Sequence, residues 1–373
     1  MDNRRVVGLV LLAIFATPLF APVTQAEWDE DNWLWNIIGP ERLALGDEFG
    51  CHGYEGLNVI ESPEVVMDCR DYLMDFTNAS IWGHNPISYG LPNDDLNATT
   101  SQLFVDAGFE IVGDIGQVDN QQLRIISRTT SLEKGQTDMN ALRDAPEDSL
   151  LSLYWIAKWH DVNIREDKDA IELLESQEIW FTTWGEWHNH EKSSRSWVHY
   201  PTSSDYTDSY IINTESTQSW DVPGTAWFSW SEPPLKITFN GEIAPLLTIE
   251  DRHLRIGVRM SDGGAWVTAS SGMLVEFEFD NSNHNLETPD PQITFNGLHH
   301  SVVVVGHHVT DLHKWSSDFH ESPLRFTWLI ERPAALEVDW RLPVIAAFVL
   351  IATPAAIKYI VNKDQEIQGM DKS

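Results

Sequence analysis

The stretch Glu186-Trp187-His188-Asn189-His190 gathers residue types that bind divalent metals. On a β-strand, side chains two apart share a face with ~6.5–7 Å between neighbours, so Glu186, His188 and His190 would project together. That spacing lets two imidazoles grip one ion. His199 lies on the expected return strand, and hairpin register decides its part. A four-residue loop at 191–194 puts it on the same face, whereas one more loop residue inverts it. Three nitrogens and a carboxylate would make a closed tetrahedral zinc site; loss of one ligand would leave room for water and hydrolytic chemistry. A solvated hairpin with a polar tip is the alternative that needs no ion.

Two other groups could recognise a ligand. Trp180, Trp184, Trp187 and Trp197 offer flat faces on which sugar rings could stack, although packing in a core or interface is the commoner use of tryptophan. His299, His300, His307, His308, His313 and His320 invite a metal reading, but 301–305 reads as a β run. Along a straight strand His299 and His307 stand ~26 Å apart, so the two pairs mark the ends of a core strand. There is no GxSxG elbow, HExxH, GxxxxGK, GxGxxG or CxxC. An enzyme has no motif to support it, and acidic side chains are too numerous to single out a catalytic pair.

Cys51 and Cys69 are the only cysteines. In a compartment that permits disulfides they form one bridge, worth about 3 kcal/mol on the loop-entropy model. The sharper alternative, a Cys51 nucleophile beside His52, would leave Cys69 reduced. Sequons at Asn78 and Asn97 are possible N-glycosylation sites.

The elements that must position these residues fall into two halves. In 27–222, a helix is expected at 63–76, with Cys69 on its buried face, and a shorter one at 100–107 with Gly108 as its stop. Strands follow at 109–112 and 123–127, then helices at 146–159 and 166–176. From about Glu178 the apolar period becomes two: a hairpin over 179–200, then alternating strands near 254–260, 275–279 and 326–330. Ile237-Thr238-Phe239-Asn240-Gly241 recurs as Ile293-Thr294-Phe295-Asn296-Gly297. The fold class is α+β: an N-terminal mixed helix/strand domain, then an all-β domain at 223–331, an immunoglobulin-like sandwich in outline.

The chain ends complete the expected architecture. Residues 1–26 read as a signal peptide, with Arg4 and Arg5, an apolar run and Thr24-Gln25-Ala26 before Glu27. Residues 332–341 read as a linker, 342–361 as one transmembrane helix and 362–373 as a cytoplasmic tail. The formal net charge of −33, nearly all of it in the middle of the chain, repels nucleic acid and suits a hydrated surface. The expected protein is a membrane-anchored, single-pass type I ectodomain at the cell surface that binds a glycan or protein ligand or acts as a scaffold. A membrane-tethered extracellular hydrolase or metal-dependent enzyme is the alternative.

Overall fold

The computed structural model describes residues 38–54, 57, 59–91, 96–113, 118–132, 135–156, 167–202, 204–213, 219–282, 284–309, 322–332 and 341–370. The chain divides into two compact units, Trp28–Pro333 and the two ends, Met1–Glu27 with Ala334–Ser373. The first unit begins with α1 (Ile38–Ala44), β1 (Glu48–Tyr54), α2 (Glu64–Phe76), β2 (Ser88–Gly90), α3 (Ala98–Asp106) and β3 (Ile111–Gly113). Next come β4 (Arg124–Ile126), β5 (Thr130–Ser131), α4 (Met139–Arg143), β6 (Leu150–Ile156), α5 (Lys168–Ser176), β7 (Trp180–Phe181) and α6 (Trp184–Ser194). An antiparallel section follows: β8 (Trp197–Tyr200), β9 (Thr207–Ile212), β10 (Gly224–Ser229), β11 (Lys236–Phe239), β12 (Glu242–Ile243), β13 (Gly257–Ser261), β14 (Gly264–Ala269), β15 (Val275–Glu278) and β16 (Asp290–Pro291). The chain then returns with β17 (Ser301–Val309) and β18 (Phe326–Arg332).

The centre is a parallel sheet in the order β4-β3-β2-β1-β18-β17-β6-β5, with β7 also paired to β17. Both faces are covered, as a parallel sheet requires. On one face Val66, Cys69, Tyr72 and Leu73 of α2, Phe104 of α3 and Leu174 of α5 join a core with Phe49, Leu153, Trp155, Val304 and Trp328. On the other, Trp184 and Trp187 of α6 pack with Trp220, Val222 and Phe295 over Ile111, Tyr154, Val303, Val305 and Leu329. Alternate residues of one strand therefore serve different cores, each buried large side chain contributing about 1.5–3 kcal/mol.

The antiparallel section is inserted between α6 and β17. Its two sheets, β13-β14-β10-β16 and β12-β11-β15-β9-β8, share a core of Tyr210, Phe228, Val267, Val275 and Phe277. The repeated pentapeptide reuses one backbone preference in two settings. Asn240 and Gly241, both at positive φ, make the tight turn between β11 and β12. Asn296 and Gly297 adopt the same hand inside a 3-10 turn, where Asn296 Nδ2 donates to the Thr248 and Asp251 carbonyls (2.7 and 3.2 Å).

Several expectations are corrected. The helix expected at 146–159 is instead β6, a core strand whose residues 151–155, Leu-Ser-Leu-Tyr-Trp, are buried on both faces, where periodicity cannot tell helix from strand. The hairpin at 179–200 is mostly α6. An all-β sandwich domain at 223–331 is not what forms, because β17 and β18 are central parallel strands; the class is mixed α/β with further antiparallel sheets. In the second unit, 342–361 falls within helix α7 (Arg341–Met370), which holds Pro354. Among the described residues no helix is long and apolar enough to cross a membrane. The uncharged run stops before Lys358, and 342–357 rises only ~24 Å against a ~30 Å hydrocarbon core. The signal segment 1–26 and most of the linker 332–341 lie outside the described residues. The expected bridge is present: Cys51 of β1 is joined to Cys69 of α2 with Cα atoms 6.0 Å apart.

Candidate acid–base site

The centre of the parallel sheet is irregular at its carboxyl edge. Along β1 and β18 the pairing runs Cys51 with Ile330 and then Gly53 with Glu331, leaving His52 as an extra residue. On the opposite flank of β18 the pairing runs Gly306 with Trp328 and then Val309 with Ile330, so β17 also carries one residue too many, beside His307. β-Bulges are rare between parallel strands, and they re-aim side chains and concentrate near active sites. Here both deliver imidazoles to the end of β18.

The two rings stand edge to face with centroids 4.1 Å apart and 83° between their planes. His52 Nδ1 lies 3.5 Å from Glu331 Oε1, and these two side chains are only 6% and 4% exposed. Tyr154 of β6 continues the row, its ring 5.6 Å from His307, and the exposed Arg128 places its guanidinium 4.5 Å over Tyr154. Gly90 of β2 makes room for the pair. A β-carbon there would stand 3.1 Å from His52 Cδ2, 3.3 Å from His307 Nε2 and 2.5 Å from Leu329 Cδ1. Gly53 is needed twice over: its φ is +87°, and a β-carbon would stand 2.5 Å from Tyr89 Oη. Burial and the nearby charge of Glu331 push the Tyr89 phenol well above its ordinary value. Tyr89 therefore keeps its proton.

A second polar layer at the amino edge fixes the strands that carry this cluster. Asp47 accepts from Arg42 Nε (2.6 Å), Trp328 Nε1 (2.8 Å) and Phe326 N (3.1 Å), joining the start of β1 to β18. Glu48 accepts from Gly185 N (2.8 Å), Thr327 Oγ1 (3.1 Å) and Ser88 Oγ, which sets its carboxylate against the positive end of α6. Burial nonetheless holds both acids above the usual carboxylate range.

The metal ligands expected from sequence are not brought together. Helix α6 turns ~100° per residue, which separates His188 from Glu186 and His190. Glu186 accepts from Trp82 Nε1 (2.7 Å) and Thr182 Oγ1 (2.9 Å), with its pKa pushed up by burial to about 7. His188 Nε2 donates to Glu110 Oε2 (3.1 Å). His190 is fully buried against Trp180 and hydrogen-bonded to Thr225 Oγ1 (2.9 Å); burial brings it down to about 3. His199 stands on β8, in another sheet, 4.0 Å from Asp208. Among the described residues no group of three or more His, Cys, Asp or Glu could hold a metal. Trp180, Trp184, Trp187 and Trp197 are all buried in cores, so none presents a face for a sugar. Asn78 is exposed, its Oδ1 bonded with His84 Nδ1 (2.7 Å), and Asn97 caps α3 by accepting from Thr99 N and Thr100 N (3.0 Å each). His313 and His320 lie outside the described residues.

The sequence carries one signal for the missed helix. Thr183 and Glu186 have capping-box spacing, and Thr183 Oγ1 does accept from Glu186 N (3.3 Å). Nothing local marks His52, His307 and Glu331 as partners, because they come together only through the strand order β1-β18-β17. Compared with protein-family models, with curated proteins and with solved structures, the chain matches none.

Proposed function

We propose that the α/β body is a hydrolase that activates water by general acid–base catalysis. The observation that carries this reading is the pair of bulges flanking β18, which bring His52 and His307 to the Glu331 carboxylate at the carboxyl edge, where ligands of parallel α/β sheets bind. In this reading His52 takes the proton of water, and Glu331, 3.5 Å away, stabilises the imidazolium that results. His307 returns a proton to the leaving group. Cys51 is tied up in the disulfide, so its thiol is not the nucleophile. The test is a panel of chromogenic carboxylic esters, amides, phosphoesters and glycosides. Turnover should fall by about 100-fold or more in His52→Gln and Glu331→Gln at unchanged circular dichroism. No turnover by the wild type on any class, or turnover that survives both substitutions, overturns the reading.

A second reading, a binding or scaffold role, is favoured by a row on the antiparallel section. Arg259, Trp266, Trp227 and Asp290 are register partners on four successive strands, with the Trp227 and Trp266 rings 4.5 Å apart and both half-buried. Such a row suits a ligand with an apolar C–H face and polar edges, such as a sugar. Glycan-array binding that is lost in Trp266→Ala supports it; an array that stays blank for the wild type removes it.

A further inference from the structure

We infer that the Cys51–Cys69 bridge is a positioning device for His52, and not only a staple for the fold; this rests on the acid–base reading of the carboxyl-edge cluster. Three observations converge. Cys51 is the last paired residue of β1 before the bulge, so the cross-link ends one peptide from the extra residue. Cys69 sits on the buried face of α2 with its Sγ 4.0 Å from the carbonyl oxygen of Ile330. Ile330 is both the register partner of Cys51 and the neighbour of Glu331. The bridge thus ties β1 to α2 and packs against β18 at the level where His52 leaves the regular ladder.

The physical need is specific. A bulged residue is left out of the ladder, so its direction depends on what fixes the residues on either side. On the far side stands Gly53, at positive φ and with no side chain to anchor it. On the near side stands Cys51, with no exposed surface and covalently attached to a helix. Without the bond, β1 is still held to β18 at its amino end by Asp47 and Glu48, but the bulge at its carboxyl end is free to shift along the strand, which re-aims His52.

The test separates positioning from stability. Histidine Cε1 resonances of the full chain are titrated by NMR, with His52 assigned through His52→Gln. In the wild type, Glu331→Gln should move the His52 midpoint by about 0.5 unit or more. In Cys51→Ser/Cys69→Ser that response should vanish, while Val267→Ala, which lowers stability from the antiparallel core, should leave it intact. Cys51→Val/Cys69→Ala, which refills the space, serves if the serine pair does not fold. A His52 midpoint that responds to Glu331→Gln equally with and without the bridge overturns the inference, as does failure of both bridge-free chains to fold. No response in the wild type overturns the acid–base reading itself.

Discussion

Replacing Glu110 by Gln probes the ionic joint between α6 and the edge of the parallel sheet. Glu110 precedes β3 and its carboxylate accepts from His188 Nε2 (3.1 Å), Lys192 Nζ (2.5 Å) and Ser219 Oγ. Burial pushes its pKa up, but these donors more than offset that and bring it down to about 2 from 4.5. At ~1.4 kcal/mol per unit, the ionised carboxylate carries at most ~3.5 kcal/mol. Lys192 is 41% exposed, so its share is screened, and about 2 kcal/mol is expected to remain. The sign follows from the depressed value. The contribution is complete above the unfolded pKa of ~4.5 and is lost as pH falls toward 2, with roughly 60% surviving at pH 3.5. Urea unfolding at pH 7 should therefore show Glu110→Gln less stable by about 2 kcal/mol, with a smaller gap at pH 3.5. Adding Lys192→Met to the Gln variant should cost little more, since the pair is already broken. A gap at pH 7 below about 0.5 kcal/mol, or one that does not shrink on acidification, would refute the assignment.

Two further outcomes follow from buried positions on the same face. Glu186 has its pKa raised to about 7, so the folded chain holds a proton there that the unfolded chain releases, and stability declines as pH rises through the window from 4.5 to 7. Glu186→Gln keeps an acceptor for Trp82 and Thr182, and it should raise stability by roughly 1–3 kcal/mol at pH 8 with almost no change at pH 4. Melting temperatures at the two pH values decide this; equal shifts at both would contradict it. Gly113→Ala would put a β-carbon 2.1 Å from Trp184 Cη2 and 2.6 Å from Tyr154 Oη. Overpacking of rigid rings should cost about 1–3 kcal/mol in chemical denaturation, and a neutral result would mean that α6 is not seated on β3 as described.

Local signals in the chain determined the parts whose physics is local. Helix α2 was legible from an apolar stripe at 3.6-residue spacing, and the end of α3 from Gly108, which does take a positive φ of +85°. The disulfide was legible too, since two cysteines with one on a buried helical face have few other fates. Tertiary structure decided what depends on neighbours distant in sequence. β6 reads as a helix because a strand buried on both faces loses its alternation, and only the pairing of Leu150–Ile156 with β17 settles it. The run from Trp184 to Ser194 has no clean apolar period because it is enclosed on nearly all sides, so its polar residues are satisfied by Glu110, Thr225 and Trp82 rather than by solvent. The candidate site lay furthest out of reach. His52 and Glu331 are 279 positions apart in the chain and meet because β18 inserts between β1 and β17, and because two bulges break the pleat that would otherwise have pointed their side chains by simple alternation.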